Sequence, residues 1–311
     1  MRGLAAASFM VPHIRRLIIL LMFISTLLFF LLRQAGDPAY VIAGASATPE
    51  QLAAIREQYG LDRPVLVQYV TYVQNVLMLD FGESLVTRQP ALGIVLDRFP
   101  RTLQLAVSAM LLSIVLAIPI GAWLGARPER PERRMASAVV FVLQGSPGFV
   151  LALLLIQLFS VELMWLPSMG YGATEWRTWI LPTVSLATFS APSLIRMVAA
   201  NVAEAMREDY IRTARAYGAS LRELLWRHAL PNALLGASAL IGVQFAGLLS
   251  GSAIIETIYS WPGLGWLLLE SVQTLDFPVV QAEVFVIAIL VFLVNLLTDL
   301  GLRLLDPRLR T

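Results

Sequence analysis

Six long apolar stretches, at residues 14–32, 102–126, 136–161, 179–198, 234–255 and 284–302, decide most of what this chain can become. Each is close to the roughly 20 residues that cross a hydrocarbon layer about 30 Å thick as a helix. In hydrocarbon the backbone must satisfy its own polar groups, so a spanning segment is either a helix or a strand of a closed barrel. None of the six alternates polar and apolar residues as a barrel strand does. The chain is therefore expected to be an all-α polytopic membrane protein with six transmembrane helices. Composition agrees: 58 % of the 311 residues are hydrophobic and 14 % charged, with a mean hydropathy of +0.72, against about 25 % charged in a soluble domain.

The first stretch follows Arg15-Arg16 and superficially resembles a secretory signal. Its apolar core is longer than a signal's, and no small-x-small site follows in Arg33-Gln-Ala-Gly-Asp37, so it is expected to stay as the first span. Orientation follows from the arginines, which supply all 23 basic side chains. With a cytoplasmic N-terminus, the cytoplasmic side holds Arg2, Arg15 and Arg16, the four arginines of 127–134, the six between Arg196 and Arg227, and Arg303, Arg308 and Arg310. Only seven arginines fall on the opposite side. The excess of arginine in cytoplasmic loops places both termini on the cytoplasmic side of the membrane.

One sizeable extracytoplasmic segment, 33–101, follows the first span. Within it, Thr48 is a helix N-cap, followed by Pro49, Glu50 and Gln51 in the first turn, and Gly60 lies past the end of a helix running to Tyr59. A second helix is expected over 64–79. Neither is long or polar enough for a separate domain, so a cap is expected. The external loop 259–266, with Trp261, Pro262, Gly263 and Trp266, reads as a re-entry turn with interfacial tryptophans.

The 28 residues 204–231 form a charged, helix-forming island between apolar segments. Ser220-Leu-Arg-Glu223 fits a capping box, so a helix starts near Leu221. Gly218 tolerates the positive φ that ends a preceding helix. Tyr210, Ala214 and Tyr217 make an apolar stripe on the first helix, and Leu221, Leu224, Leu225 and His228 one on the second, with Pro231 at the entry to the fifth span. Charges of both signs, unlike the basic face of a lipid-binding helix, point to docking of a soluble protein.

The island resembles the cytoplasmic signature of ABC-importer permeases: E-A-A, three residues, G, nine residues, I-x-L-P. Here Arg212-Thr213-Ala214, Gly218 and His228-Ala229-Leu230-Pro231 stand at that spacing. Arg212 and Thr213 replace Glu and Ala, and His228 replaces Ile. These departures resemble the dipeptide, oligopeptide and nickel branch, as do the wordings Asp209 to Gly218 and Arg227 to Ala233. Similar motifs occur in order at 35–38, 61–64, 80–84, 98–102, 256–265, 276–281 and 305–308.

The resemblance implies a type I ABC importer permease fold. Residues 1–32 would be the N-terminus and first helix, 33–101 the extracytoplasmic segment, and 102–311 a five-helix permease core. Residues 204–231 would then be the coupling element, seated on an ATPase subunit through Asp209, Tyr210, Arg212, Thr213, Ala214, Tyr217, Gly218, Ser220, Glu223, His228 and Pro231. It further implies a heterodimer with a second permease, one or two kinds of ATPase subunit carrying ATP and Mg, and an extracytoplasmic solute-binding protein. The cargo would be di- or oligopeptides, a nickel chelate or glutathione.

The remaining chemistry is sparse. No cysteine, no lysine and no HExxH occur, which removes thiol chemistry, a Walker lysine and a zinc protease motif from this chain. Neither catalytic residues nor a metal site is expected, nor nucleic-acid binding. Polar residues within spans usually face the bundle interior; these are Gln144, Gln157, Gln244, Glu256, Asn295 and Asp299. Glu256 and Asp299 sit near span ends, within reach of solvent or arginine. Gln144 adjoins the helix-breaking Gly145-Ser146-Pro147-Gly148, so Gln144, Ser146 and Gln244 are expected along the translocation path. A self-contained secondary transporter is the competing reading, but it requires central acidic residues and internal repeats, neither of which is evident.

Overall fold

Long runs rich in Leu, Ile, Val and Ala wind into helices, some of which carry a proline inside them. The computed structural model describes the chain except Met1, residues 44–46, Tyr59, and residues 173–174 and 306–311; of residues 2–9, 35, 41, 304 and 305 only the backbone is described. The end of the expected helix at Tyr59, Arg308, Arg310 and most of the 305–308 motif thus lie outside the described residues.

The helices are α1 (Arg2–Ala35), α2 (Pro38–Ala43), α3 (Pro49–Gln58), α4 (Val65–Leu77), α5 (Ala91–Ala126), α6 (Pro131–Gly145), α7 (Gly148–Ile156), α8 (Arg177–Ala205), α9 (Asp209–Ala216), α10 (Leu221–Glu223), α11 (Leu230–Gly251), α12 (Ala253–Ile258), α13 (Leu264–Gln273) and α14 (Phe277–Leu305). Two π-helical turns occur, Gln157–Glu162 after α7 and Leu224–Ala229 between α10 and α11. Among the described residues the only pairing of extended backbone is an isolated bridge between Glu83 and Pro90. Among the described residues five helices are long and apolar enough to cross a membrane, or six if α6 and the bent segment Gly148–Glu162 after it count as one span.

Several span boundaries differ from those expected. α5 begins at Ala91 rather than 102 and runs on through Pro100, so the last part of the expected external segment is its first three turns. The third span bends by 101° between Gly145 and Gly148. There Ser146 and Pro147 take extended backbone, and the Ser146 hydroxyl donates to the Val142 carbonyl at 2.8 Å. α14 begins at Phe277 rather than 284, which brings Glu283 inside the helix, fully buried.

The chain forms two compact units. In the first, residues 1–101 and 262–292, Val76, Phe81, Val95, Leu264, Leu267, Val279 and Phe285 make the core. The expected cap on α3 is present: Gln51 N–H donates to the Thr48 hydroxyl at 3.3 Å, and the Gln51 side chain accepts from Thr48 N–H at 2.9 Å. Gly60 takes φ +63° after it. Asp276, buried before α14, accepts from the Ser84 hydroxyl and from Leu85 N–H at 3.0 Å. Arg98 lies 5.6 Å from the centroid of the Trp266 ring. Asp37 accepts from Arg56 at 2.6 Å and from Ala39 N–H at 2.9 Å.

In the second unit, residues 102–261 and 293–311, α8 is the central helix and packs on α6, α7, α11 and α12. Close approach is built from glycine: a Cβ on Gly125 would meet the Ala199 carbonyl at 2.3 Å, and one on Gly148 the Phe189 ring at 2.1 Å. Trp261 is fully buried, edge-on to Tyr171 at 4.8 Å and to Trp179 at 5.7 Å. The expectation of an interfacial Trp261 is therefore corrected, because three rings packing on each other bury more apolar area than a headgroup layer offers. Glu256 is also fully buried, accepting from Thr102 at 2.8 Å and Ser252 at 3.0 Å, rather than solvated at a span end. Asn295 and Asp299 are exposed on α14.

Candidate coupling site and path residues

The island folds as expected over its first half. Glu208, in extended conformation, precedes α9, which has Asp209 in its first turn and Arg215 in its last, each complementing the helix dipole. Gly218 has φ +88°, with Gly218 N–H donating to the Arg215 carbonyl at 3.0 Å and Ala219 N–H to the Ala214 carbonyl at 3.2 Å. These two bonds make a Schellman closure, which needs the left-handed residue that glycine supplies.

The buried side of α9 is not the Tyr210, Ala214, Tyr217 stripe. Ile211 is its fully buried side chain, packed with Ala205, Leu224 and Ala229, and Ala214 only joins the edge of that cluster. Tyr210 is 40 % and Tyr217 88 % exposed. Asp209, Arg212 and Thr213 are exposed as well, and Asp209 and Arg212 pair at 3.2 Å in solvent, a contact of small energetic value. One hydrophobic anchor thus holds the helix while aromatic and charged side chains face outward.

The second half departs from a helix that stops before the span. Leu221 starts a helix that runs through the π-helical turn Leu224–Ala229 into α11, so residues 221–251 form one 31-residue element. Pro231 explains the widened turn, because its ring would clash with the carbonyl four residues earlier and it has no N–H to donate. The capping box forms by half: Glu223 N–H donates to the Ser220 hydroxyl at 3.3 Å, but the Glu223 carboxylate accepts from Arg227 at 3.0 Å. His228 is half-buried, and its carbonyl accepts from the Asn232 side chain at 3.1 Å. The same Asn232 amide donates to the Tyr210 hydroxyl at 3.1 Å. Ile211 and Asn232, which hold the element together, were not singled out from sequence; Ile211 was recoverable as the one aliphatic residue of α9 larger than alanine.

Of the expected path residues, Gln144 and Gln244 lie against α8, while Ser146 closes α6. Gln144 accepts from Arg196 at 2.6 Å and donates to the Ser193 hydroxyl at 3.2 Å, and Arg196 lies over the Phe141 ring at 5.2 Å. Gln244 lines a small cavity of about 150 Å³ with Phe189, Ser190 and Gly247. The Ser146 hydroxyl donates to the Val142 carbonyl at the C-terminal end of α6, as above. Gln157 donates to Glu162 within the π-helical turn after α7.

Residues 117–311 match the family described as binding-protein-dependent transport system inner membrane component, and residues 6–106 match its N-terminal region, described as binding-prot-dependent transport system membrane comp, N-term. The chain belongs to this family. The glutathione transport system permease protein GsiC of Escherichia coli (strain K12) is 36 % identical over 309 residues, covering 97 % of this chain and 99 % of the relative. The protein of the same name from Salmonella typhi is 36 % identical over 308 residues, with the same coverage. Among solved structures, the inward-facing MetNI methionine ABC transporter, CY5 native crystal form, superposes with a TM-score of 0.61 at 22 % identity, over 70 % of this chain and 98 % of that one. That likeness shows the fold. The chain is a permease subunit of a binding-protein-dependent ABC importer of the peptide and nickel branch, an inner-membrane component.

Proposed function

We propose that this permease pairs with a second, homologous permease and that its α9-to-α11 element seats on a cytoplasmic ATPase subunit that binds ATP and Mg. The observation that carries this reading is the construction of α9: Ile211 anchored, Gly218 closing the helix, and Tyr217, Arg212 and Asp209 turned outward. Closure of the ATPase subunits on ATP would move the element as a rigid body, and its continuity with α11 would pass the motion to the spans. Both termini would face the cytoplasm, and solute would arrive from an external binding protein. Exposed apolar side chains such as Phe141, Val142 and Leu154 offer surface for the second permease or lipid.

The cargo in this reading is glutathione, supported by relatives at 36 % identity that carry the name of a glutathione permease. Glutathione is a tripeptide, so it falls within the peptide class expected from the sequence. The test is uptake of labelled glutathione against a dipeptide by the full importer with its cognate binding protein. Saturable, ATP-dependent glutathione uptake supports the assignment, and peptide uptake with no competition by glutathione refutes it. Gly218→Pro, which cannot adopt φ +88°, should abolish copurification of the ATPase subunit while membrane insertion persists. Undiminished copurification would move the docking site elsewhere.

A further inference from the structure

Arg133, on the first turn of α6, is only 9 % exposed, and its Nε and Nη1 are buried without a hydrogen-bond partner. A guanidinium stays charged and brings five N–H donors, so burying it unpaired is unfavourable unless something absent from the isolated chain accepts from it. The Trp123 ring, with its centroid 5.3 Å from the guanidinium, steadies the charge but offers no lone pair. The adjacent Glu132 pairs instead with Arg130 at 3.5 Å.

Arg133 lines a cavity of about 260 Å³ together with Trp123 on α5 and Leu221, Arg222, Leu225 and Trp226 of the coupling element. No acidic side chain lines it. Two arginines call for an anion, while two half-exposed tryptophans and two leucines call for an apolar body attached to that anion. Phosphate matches the guanidinium fork, tryptophan favours the depth of the headgroup and glycerol region, and anionic lipid collects where basic side chains cluster.

We propose that this cavity binds an anionic phospholipid, with its phosphate on Arg133 and Arg222 and the start of its acyl chains against Trp123, Leu225 and Trp226. The lipid then lies between α5 and the coupling element and braces the element against the membrane body. This holds whichever solute is carried.

The test uses the assembled importer in detergent, labelled with a phosphatidylglycerol carrying a photoreactive group at the glycerol end of an acyl chain. Crosslinks should map to Trp123 and Trp226. Excess phosphatidylglycerol should suppress them and the same amount of phosphatidylcholine should not. Arg133→Met should label about tenfold less at these positions, the effect expected for losing a charge-assisted contact. The competition on the wild-type complex decides the matter without any variant. Labelling that avoids both tryptophans, or protection by phosphatidylcholine equal to that by phosphatidylglycerol, overturns the proposal. Equal protection by soluble glycerol phosphate assigns the site to free phosphate and overturns the lipid. A photoreactive amino acid in place of Trp226 that captures another subunit instead of phospholipid assigns the site to a protein carboxylate and overturns it too.

Discussion

Asn232 at the base of α11 donates to the Tyr210 hydroxyl of α9 at 3.1 Å, joining the outward-facing helix of the proposed coupling element to the helix that follows it. The bond is local to the junction across which docking motion would have to pass. A hydrogen bond of this kind contributes about 1 kcal/mol net, which is a factor of about five in an equilibrium. Asn232→Ala and Tyr210→Phe should each lower solute uptake per ATP hydrolysed by about two- to fivefold, with ATPase copurification unchanged. Proteoliposomes in which uptake and phosphate release are measured together supply that ratio. Equal ratios in wild type and both variants would show that this bond transmits nothing.

Two glycines separate conformational from steric need. Gly218 has open space around the position of a Cβ, so Gly218→Ala suffers only the left-handed backbone penalty of about 1–2 kcal/mol. Gly125 has ordinary backbone, but its Cβ would stand 2.3 Å from the Ala199 carbonyl, and a backbone atom cannot swing aside. Gly125→Ala should therefore lower thermal stability in detergent by at least as much as an overpacked core does, about 1–3 kcal/mol, and should loosen α5 from α8. Gly218→Ala should leave global melting nearly unchanged and weaken ATPase binding. A reversal of the two phenotypes would mean that the helix closure, not the helix contact, carries the fold.

The spans, the caps on α3 and α10, and the glycine closure of α9 were legible because each depends on local chemistry: apolar run length, a side chain reaching its own helix end, a positive φ. Helix starts were less so. α5 and α14 begin well before their apolar stretches do, because Arg98 and Arg101 on α5 and the fully buried Glu283 on α14 interrupt the apolar run without interrupting the helix. Burial of Trp261 and Glu256 was hidden for a different reason, because their partners Tyr171, Trp179 and Thr102 are about 80 to 150 residues away. That Ile211, rather than the Tyr210, Ala214, Tyr217 stripe, is the buried anchor of α9 was hidden because residues on one face look alike whether that face meets the protein or a partner; the burial of Ile211 distinguishes them.

Ile211 itself gives a sharper test of the docking element than any charged residue on it. Fully buried among Ala205, Leu224 and Ala229, it is the main tie between α9 and the rest of the chain. Ile211→Ala should cost about 2–4 kcal/mol of local stability. Hydrogen exchange of the 209–216 amides should then accelerate by about two orders of magnitude or more, with the amides of α8 hardly changed. Ile211→Leu, which keeps the volume, should restore most of the protection. Exchange that stays slow in the alanine variant would show that α9 is held by something other than this cluster.

The pair Asp37 and Arg56 makes a pH prediction for the segment between α1 and α5. Burial works to raise the Asp37 carboxyl, but the Ala39 amide and the Arg56 guanidinium outweigh it, so Asp37 ionises below its ordinary value of 3.8. A carboxylate with a depressed pKa contributes stability that is fully present above its unfolded pKa and is lost as pH falls through the folded one. Both side chains are a third or more exposed, at 41 % and 33 %, so the contribution is small and salt-sensitive. Wild type should therefore exceed Asp37→Asn in melting temperature by a constant margin from neutral pH down to about pH 4. Below that the margin should close, and added salt should narrow it at every pH above. Melting curves of the detergent-solubilised protein at several pH values read this directly. A margin that already closes between about pH 5 and 6 would mean that Asp37 is held above, not below, the ordinary carboxylate range, and that burial rather than Arg56 governs it.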